Sequence, residues 1–218
     1  MRKFVIWGSS GHAKVVSELV NLIGGQVVAL FDNDRSARSI LSGVELRHGW
    51  DGFIEWRNII NDPSDYSGIV AIGGARGRDR LCIQKDFENA EINVSSIIHP
   101  GSIVSSSVRI GKGCQVLANA TVAADVGVGD ACIINHGSVV DHETQIDDGV
   151  HIGPGAVLCG CINVGAFAFI GAGSVVLPRL SIGSGAIIGA GSVVTKDVPP
   201  RAVVAGNPGR IIKFTGEK

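Results

Sequence analysis

Val140-Asp-His-Glu-Thr-Gln-Ile146-Asp-Asp-Gly-Val-His-Ile152-Gly-Pro-Gly-Ala-Val-Leu158 decides how this chain folds. An aliphatic side chain stands at every sixth position. The register runs back without a slip through Ile134, Val128, Val122, Val116, Ile110 and Val104 to Ile98, and on through Val164, Ile170, Val176, Ile182 and Ile188 to Val194. The position two before each is usually small, as at Ser102, Ala120, Ser138, Ala156, Ser174 and Ser192. The position just after is often glycine, as at Gly111, Gly129, Gly153, Gly165, Gly171, Gly183 and Gly189. Six residues are not close to a whole number of helical turns. A strand period of two fits six but does not explain glycine at a fixed phase. Hexapeptide repeats of this kind wind into a parallel β-helix. Three repeats make one triangular coil, with the aliphatic residue inward on each flat side and Gly or Asn expected at the tight corners.

Beyond Val194 the segment Thr195 to Arg210 leaves the register. Its prolines cannot continue a ladder, so it is expected to cap the last coil, which is otherwise a bare sheet edge. Upstream, about 97 residues alternate between strand and helix patterns, as in a small α/β layer with a parallel sheet. Lys3–Trp7 reads as a strand. Gly8-Ser-Ser-Gly11-His12 follows, then apolar residues at helical spacing from Val15 to Ile23, with Ser9 or Ser10 as the cap and Gly24-Gly25 as the stop. Gln26–Phe31 is a second strand, closed by Asp32-Asn33-Asp34. Gly43–Leu46 reads as an edge strand, Phe53–Ile60 as a short helix, Gly68–Ile72 as a buried strand ended by Gly73-Gly74, Arg76–Asn89 as a helix and Asn93–Ile98 as a strand into the repeat. Ligands of such sheets lie beyond the strand C-termini, here Gly8–His12, Asp32–Asp34 and Gly73–Gly74. A helix start at Gly11, with His12 and Lys14, can receive a phosphate, and Asp32 can accept from a ribose hydroxyl or a base.

Composition narrows the function. A formal charge of −1 gives no electrostatic reason to bind nucleic acid. No apolar run is long enough to span a bilayer, and the first residues lack the pattern of a signal peptide. Five cysteines without framework spacing read as reduced thiols. A cytoplasmic protein is expected, without membrane insertion.

The chemistry should lie where the repeat carries polar residues. His142 sits in Asp141-His-Glu143, and an imidazole there can take a proton from an amine or hydroxyl attacking an acyl group. Asp141 and Glu143 can each orient it, and spacing does not choose between them. Gly160 lies one coil, three hexapeptides, beyond His142. Its backbone N–H, with no side chain to shield it, can bind an oxyanion. His151, half a coil on, is expected at a corner. No Ser or Cys in the sequence stands beside His142 as an obvious covalent nucleophile. A zinc enzyme using His136, His142 and His151 is an alternative, as is a non-catalytic scaffold.

The hexapeptide repeat with the ending Gly206-Asn-Pro-Gly-Arg210 resembles the left-handed β-helix acyltransferases. Gly8-Ser-Ser-Gly-His12, Ile98-His99-Pro100 and the spacing from Asp141-His142-Glu143 to His151 narrow the resemblance. It is to the sugar O-/N-acetyltransferases of bacterial surface glycan biosynthesis, including the sialic acid O-acetyltransferase type and the nucleotide-linked 4-amino-dideoxysugar N-acetyltransferases.

The resemblance implies a small α/β Rossmann-like N-terminal domain (residues 1–97) that binds a nucleotide sugar. A left-handed parallel β-helix with a C-terminal cap (98–218) would follow it. It implies a homotrimer with active sites between subunits, acetyl-CoA as cosubstrate, and no metal. The implied base is His142 and its partner Glu143. His151 and the amide of Gly160 would meet the acetyl group, Gly173 and Gly191 the pantetheine, and Lys196 and Arg210 the CoA phosphates. The nucleotide would meet Gly11, His12, Asp32, Asn33 and Gly73. The implied reaction is transfer of acetyl to the 4-amino group of a UDP- or GDP-linked dideoxyamino sugar, by direct attack. A sialic acid hydroxyl is the alternative acceptor.

Overall fold

A computed structural model describes residues 1–216; positions 217–218 of the expected second domain lie outside the described residues. Five parallel strands open the chain. They are β1 (Arg2–Trp7), β2 (Gly25–Asp32), β3 (Glu45–His48), β4 (Tyr66–Val70) and β5 (Asn93–Val94), arranged β3-β2-β1-β4-β5. Helix α1 (Gly11–Leu22) covers one face, and α2 (Gly49–Ile59) and α3 (Gly77–Asn89) cover the other. Strands buried on both sides read as continuous apolar runs, which is why Phe4–Trp7 and Ala29–Phe31 do. The α1 face buries Phe4, Ile6, Val16, Val20, Leu30 and Ile69 together with Ile97 and Leu117 of the repeat, so the two halves share a core. The opposite face is aromatic, with Trp7, Phe31, Phe53, Trp56 and Phe87 in contact.

Several local expectations shift. Neither Ser9 nor Ser10 caps α1 through its side chain; the Ser9 hydroxyl donates to the Arg38 carbonyl instead. Helix α2 starts at Gly49, and its buried face is Phe53 and Trp56. The expected strand Asn93–Ile98 is two: Asn93–Val94 closes the first sheet, while Ile97–Ile98 opens the solenoid.

From Ile97 the chain winds as a left-handed parallel β-helix with three faces. The first face holds Ile97–Ile98, Gln115–Val116, Ile133–Ile134, His151–Ile152, Phe169–Ile170 and Ile187–Ile188. The second holds Ile103–Val104 through Val193–Val194, and the third Arg109–Ile110 through Ser181–Ile182. Each residue pairs with the one 18 positions on, as Ile134 does with Ile152. The aliphatic column is fully buried from Val116 through Ile188 apart from a few percent at Val128, Ile146 and Ile182. At about 1.5–3 kcal/mol per buried aliphatic side chain, this column is the main support of the solenoid.

The corner residues correct the sequence reading. Left-handed backbone recurs every six residues from Gly113 to Gly191, two positions after the glycine-rich phase, and is as often Asn119, Asp125, Ala131, Glu143, Cys161, Phe167 or Arg179 as it is glycine. The glycine just after the aliphatic residue answers a different need. A Cβ on Gly153 would stand 2.7 Å from the Ile170 carbonyl oxygen of the next coil, and Gly171 is equally tight against Gly189.

The repeat also does not end at Val194. One further coil follows, shortened by two residues, so that Ile187 pairs with Val203 and Ile182 with Val198. Pro199 and Pro200 fall between these pairings and need not donate to a ladder. Arg210–Phe214 then folds back antiparallel on Ala202–Ala205 and covers the first face's edge. No helix is long and apolar enough to cross a membrane among the described residues.

Candidate active site

His142 and Glu143 occupy the corner between the second and third faces. The corner leaves Asp141, His142 and Glu143 free of any strand. Asp141 accepts from the His142 backbone N–H at 2.8 Å, which fixes the turn. Glu143 Oε2 lies 3.0 Å from His142 Nδ1. The geometry therefore chooses between the two acids: Glu143 orients the ring and Asp141 orients the backbone. Both His142 and Glu143 are exposed. The bond to His142, followed by the Cys161 thiol, holds the Glu143 carboxyl below its usual range, so it is ionised at neutral pH. An ionised partner keeps the proton on Nδ1, leaving Nε2 with a lone pair.

Gly160 stacks on His142 as the 18-residue count requires. A Cβ on Gly160 would collide with the His142 ring at Nε2, so only glycine lets the imidazole lie there. The Gly160 N–H donates to no protein group among the described residues, whereas its carbonyl accepts from Arg179 N at 3.1 Å. Cys161, the next residue, corrects the expectation that no thiol stands near His142. Its Sγ is 3.5 Å from Glu143 Oε2 and 4.0 Å from His142 Nδ1. The same coil count, applied to Glu143, points to it.

His151 is not at a corner. It lies in a strand of the first face, the side of the triangle opposite the corner that carries His142. It is buried, with Nδ1 donating to the Gly74 carbonyl at 3.3 Å and Nε2 accepting from Asn135 Nδ2 at 3.0 Å. Burial first, and the Arg80 charge second, push its pKa down to about 3, so the ring is neutral. His12 lies beside it, ring centroids 6.5 Å apart, with Nε2 on Gln115 Oε1 at 2.7 Å. Burial also lowers the His12 pKa. Gly73 lies against both rings, where a Cβ would be in ordinary contact. His136 is at a third place, the corner between the first and second faces, with Nδ1 bonded to Asn135 Oδ1 at 2.9 Å. The zinc set His136, His142 and His151 is thus dispersed over two corners and a face, and does not converge within the chain.

Sequence reasoning missed the groups that hold His12 and His151 in place. Arg80 is 1% exposed, and its guanidinium donates to the carbonyls of Ala131 (3.0 Å), Ile72 (3.1 Å), Gly74 (3.3 Å) and Gly149 (2.7 Å). Gln115 passes its other bond to the Val70 carbonyl at 2.9 Å. Nothing in the spacing of α3 marks Arg80, because its partners lie up to 69 residues away.

The strand tips do form a cleft, of about 480 Å³, lined by Gly8, Ser9, Asp32, Asn33, Gly73 and Arg76 among others. Asp32 already accepts from Ser9 N at 2.7 Å and Asp34 N at 3.0 Å. Gly11 opens α1 at the same end of the sheet, with open space where a Cβ would be. Gly173 and Gly191 are left-handed corner residues between the first and second faces, with nothing within 4 Å of a Cβ. Lys196 and Arg210 line one cavity of about 350 Å³ at the far end of the solenoid.

Residues 3–84 match the PglD N-terminal domain, and residues 162–196 the bacterial transferase hexapeptide (six repeats). The structure is similar to that of a histidine-to-asparagine variant of perosamine N-acetyltransferase from Caulobacter crescentus in complex with CoA and GDP-perosamine. The two are 34% identical over 97% of each chain, with a TM-score of 0.88. The chain belongs to the hexapeptide-repeat sugar N-acetyltransferases. A second member of this family, the acetyltransferase domain of PglB from Neisseria gonorrhoeae in complex with acetyl coenzyme A, is 32% identical. That likeness covers 97% of this chain and 99% of the other, with a TM-score of 0.85. UDP-N-acetylbacillosamine N-acetyltransferase of Bacillus subtilis (strain 168) is 36% identical over 123 residues, 54% of this chain and 52% of the relative. The chain thus matches about half the length of that curated relative.

Proposed function

We propose that the protein transfers acetyl from acetyl-CoA to the 4-amino group of a UDP- or GDP-linked dideoxyamino sugar, with His142 as general base. The observation that carries this is the stack of Gly160 on a His142 ring whose Nδ1 is held by Glu143. The amine attacks the thioester carbonyl directly, and Nε2 takes the proton that the nitrogen loses. Ionised Glu143 stabilises the imidazolium that forms. The free Gly160 N–H receives the oxyanion, and as the C–S bond breaks the His142 imidazolium gives its proton to the departing sulfur, so that CoA leaves as its thiol. Cys161 is not the nucleophile of this scheme, because its sulfur lies on the Nδ1 side, which Glu143 occupies. The family's perosamine and bacillosamine members, named for acetylation of amines on nucleotide-linked sugars, favour an amine over a hydroxyl acceptor.

The working unit we propose is a cytoplasmic homotrimer. His142 lies on the corner opposite the face that carries His12 and His151, so one chain cannot bring them together. A neighbour's corner set against that face would. The cleft at Gly8–Ser10, Gly11 and Asp32–Asn33 would then take the nucleotide, with His12, His151 and Gly73 at its inner end. Lys196, on the same corner as His142 about three coils or 14 Å along the axis, would meet the CoA phosphates with Arg210, and the corner glycines Gly173 and Gly191 would flank the pantetheine.

The test is acetyl-CoA consumption with UDP- and GDP-linked 4-amino-4,6-dideoxysugars, with free sialic acid for comparison. An N-acetylated product is expected. His142→Asn should lower kcat by about 10²–10⁴ with CoA affinity nearly unchanged. Full activity in that variant, or a preference for the sialic acid hydroxyl, would overturn the proposal.

A further inference from the structure

Glu143 and Cys161 are stacked left-handed corner residues, φ 58° and 61°, one coil apart. That backbone turns both side chains outward beside His142. The ligating atoms of His142, Glu143 and Cys161 all lie within 4.8 Å of one another. The separations are 3.0 Å from Nδ1 to Oε2, 3.5 Å from Sγ to Oε2 and 4.0 Å from Sγ to Nδ1. A tetrahedral zinc ion held at ordinary bond lengths by imidazole, carboxylate and thiolate places the same atoms about 3.3, 3.5 and 3.6 Å apart. The site needs displacements of only about 0.4 Å to accept such an ion. The corner does not demand a cysteine, since Asp125 and Arg179 hold the same conformation in the same column, and acyl transfer as described makes no use of the thiol.

We propose that His142, Glu143 and Cys161 form a thiol-dependent inhibitory site for zinc or a similar divalent cation. Binding would act on the base through its tautomer. Coordination takes the Nδ1 lone pair, so the ring must carry its proton on Nε2, and Nε2–H cannot accept a proton from the incoming amine. The carboxylate of Glu143 turns from the ring to the metal. Nδ1 gives up a proton, Nε2 gains one, and the thiol releases one on becoming a ligand. One proton therefore leaves per cation bound, with no change in oxidation state. The inhibitory half of this inference rests on His142 being the base; the binding half does not.

Cobalt(II) titration of the full-length protein tests the binding. A thiolate-to-cobalt charge-transfer band and visible bands of tetrahedral intensity are expected, saturating at one equivalent. Cys161→Ser should abolish the charge-transfer band and weaken binding by more than about a hundredfold, beyond what loss of an outer-shell partner costs. Glu143→Gln should weaken binding while keeping the band, and Cys82→Ser and Cys159→Ser should change neither. Absence of the band in the unmodified protein, or its survival in Cys161→Ser, overturns the proposal. In the acetyltransferase assay, each variant's rate with zinc is divided by its own rate without. The unmodified protein should be inhibited and restored by chelator, and Cys161→Ser should resist; equal inhibition of both overturns the inhibitory role. A protein that binds cobalt through Cys161 but acetylates no amino sugar would remove the functional reading and leave the metal site standing.

Discussion

In the solenoid up to Val194, the neighbour of any residue is the one 18 positions away. Ile134 lies between Val116 and Ile152, Gly160 under His142, and Cys161 beside Glu143. In the N-terminal layer no such rule holds. His12 finds Gln115 across 103 residues, and Arg80 reaches Ala131 and Gly149 across 51 and 69. One half states its contacts through a period, and the other acquires them by docking. A defect in the first should therefore stay local, while a defect in the second should loosen two domains at once.

The largest expected effect breaks the periodic rule at one point. Gly160→Ala puts a methyl group where the His142 ring lies, with no change to the strands around it. Turnover should fall by about 10²–10³, within the range that losing a positioned general base costs, while the melting profile stays close to the original. A large loss of structure would mean that the coils are less independent than the comparison holds.

Arg80→Met tests the docked half. It orphans the buried carbonyls of Ala131, Ile72 and Gly149, leaves that of Gly74 with His151 alone, and should cost about 3 kcal/mol in urea unfolding. A two-step transition, with the N-terminal layer opening first, would sharpen the contrast between the halves.

The third effect is one of pH. His151 is held at about 3, well below its ordinary value of 6.5, and His12 is lowered too. The unfolded chain binds protons that the folded chain refuses. Stability is therefore full above pH of about 6.5 and is lost as pH falls toward 3, by up to about 1.4 kcal/mol per unit from His151, with His12 adding to the loss in the same direction. His151→Gln should flatten that decline relative to the unmodified protein. An unchanged slope would show that the ring titrates normally.

The smallest effect returns to the corners. Arg179 has φ 63°, where glycine is free of strain, and Arg179→Gly should raise stability by about 0.5 kcal/mol in chemical unfolding. A loss would show that the long side chain contributes more through its contacts than its backbone costs.

The same contrast explains what could be read before any coordinates. The coil, its aliphatic column and the stacking of Gly160 on His142 follow from counting, since period and pitch fix them. The choice of Glu143 over Asp141 did not follow, because it turns on a left-handed corner whose residue type is nearly free. Counting by half a coil places His151 at a corner, whereas it stands directly before Ile152, in the inward-pointing phase's own strand. The sequence alternates Val150, His151 and Ile152, and a buried imidazole facing a second domain looks the same there as a solvated one. Arg80 resembles any surface arginine of a helix, and only the docked Ala131 and Gly149 carbonyls reveal it as buried.

Stacking by whole coils has a consequence for how such a protein can change. A residue's address is a side of the triangle and a storey, and storeys are about 4.8 Å apart. The reach from His142 to Lys196, or from His142 to the storey on which the N-terminal layer sits, is therefore quantised. Inserting one coil shifts the donor arm by a full step, and no half step exists. Fine adjustment falls to side-chain length at the corner, where Asp125 and Glu143, one storey apart, differ by a single methylene.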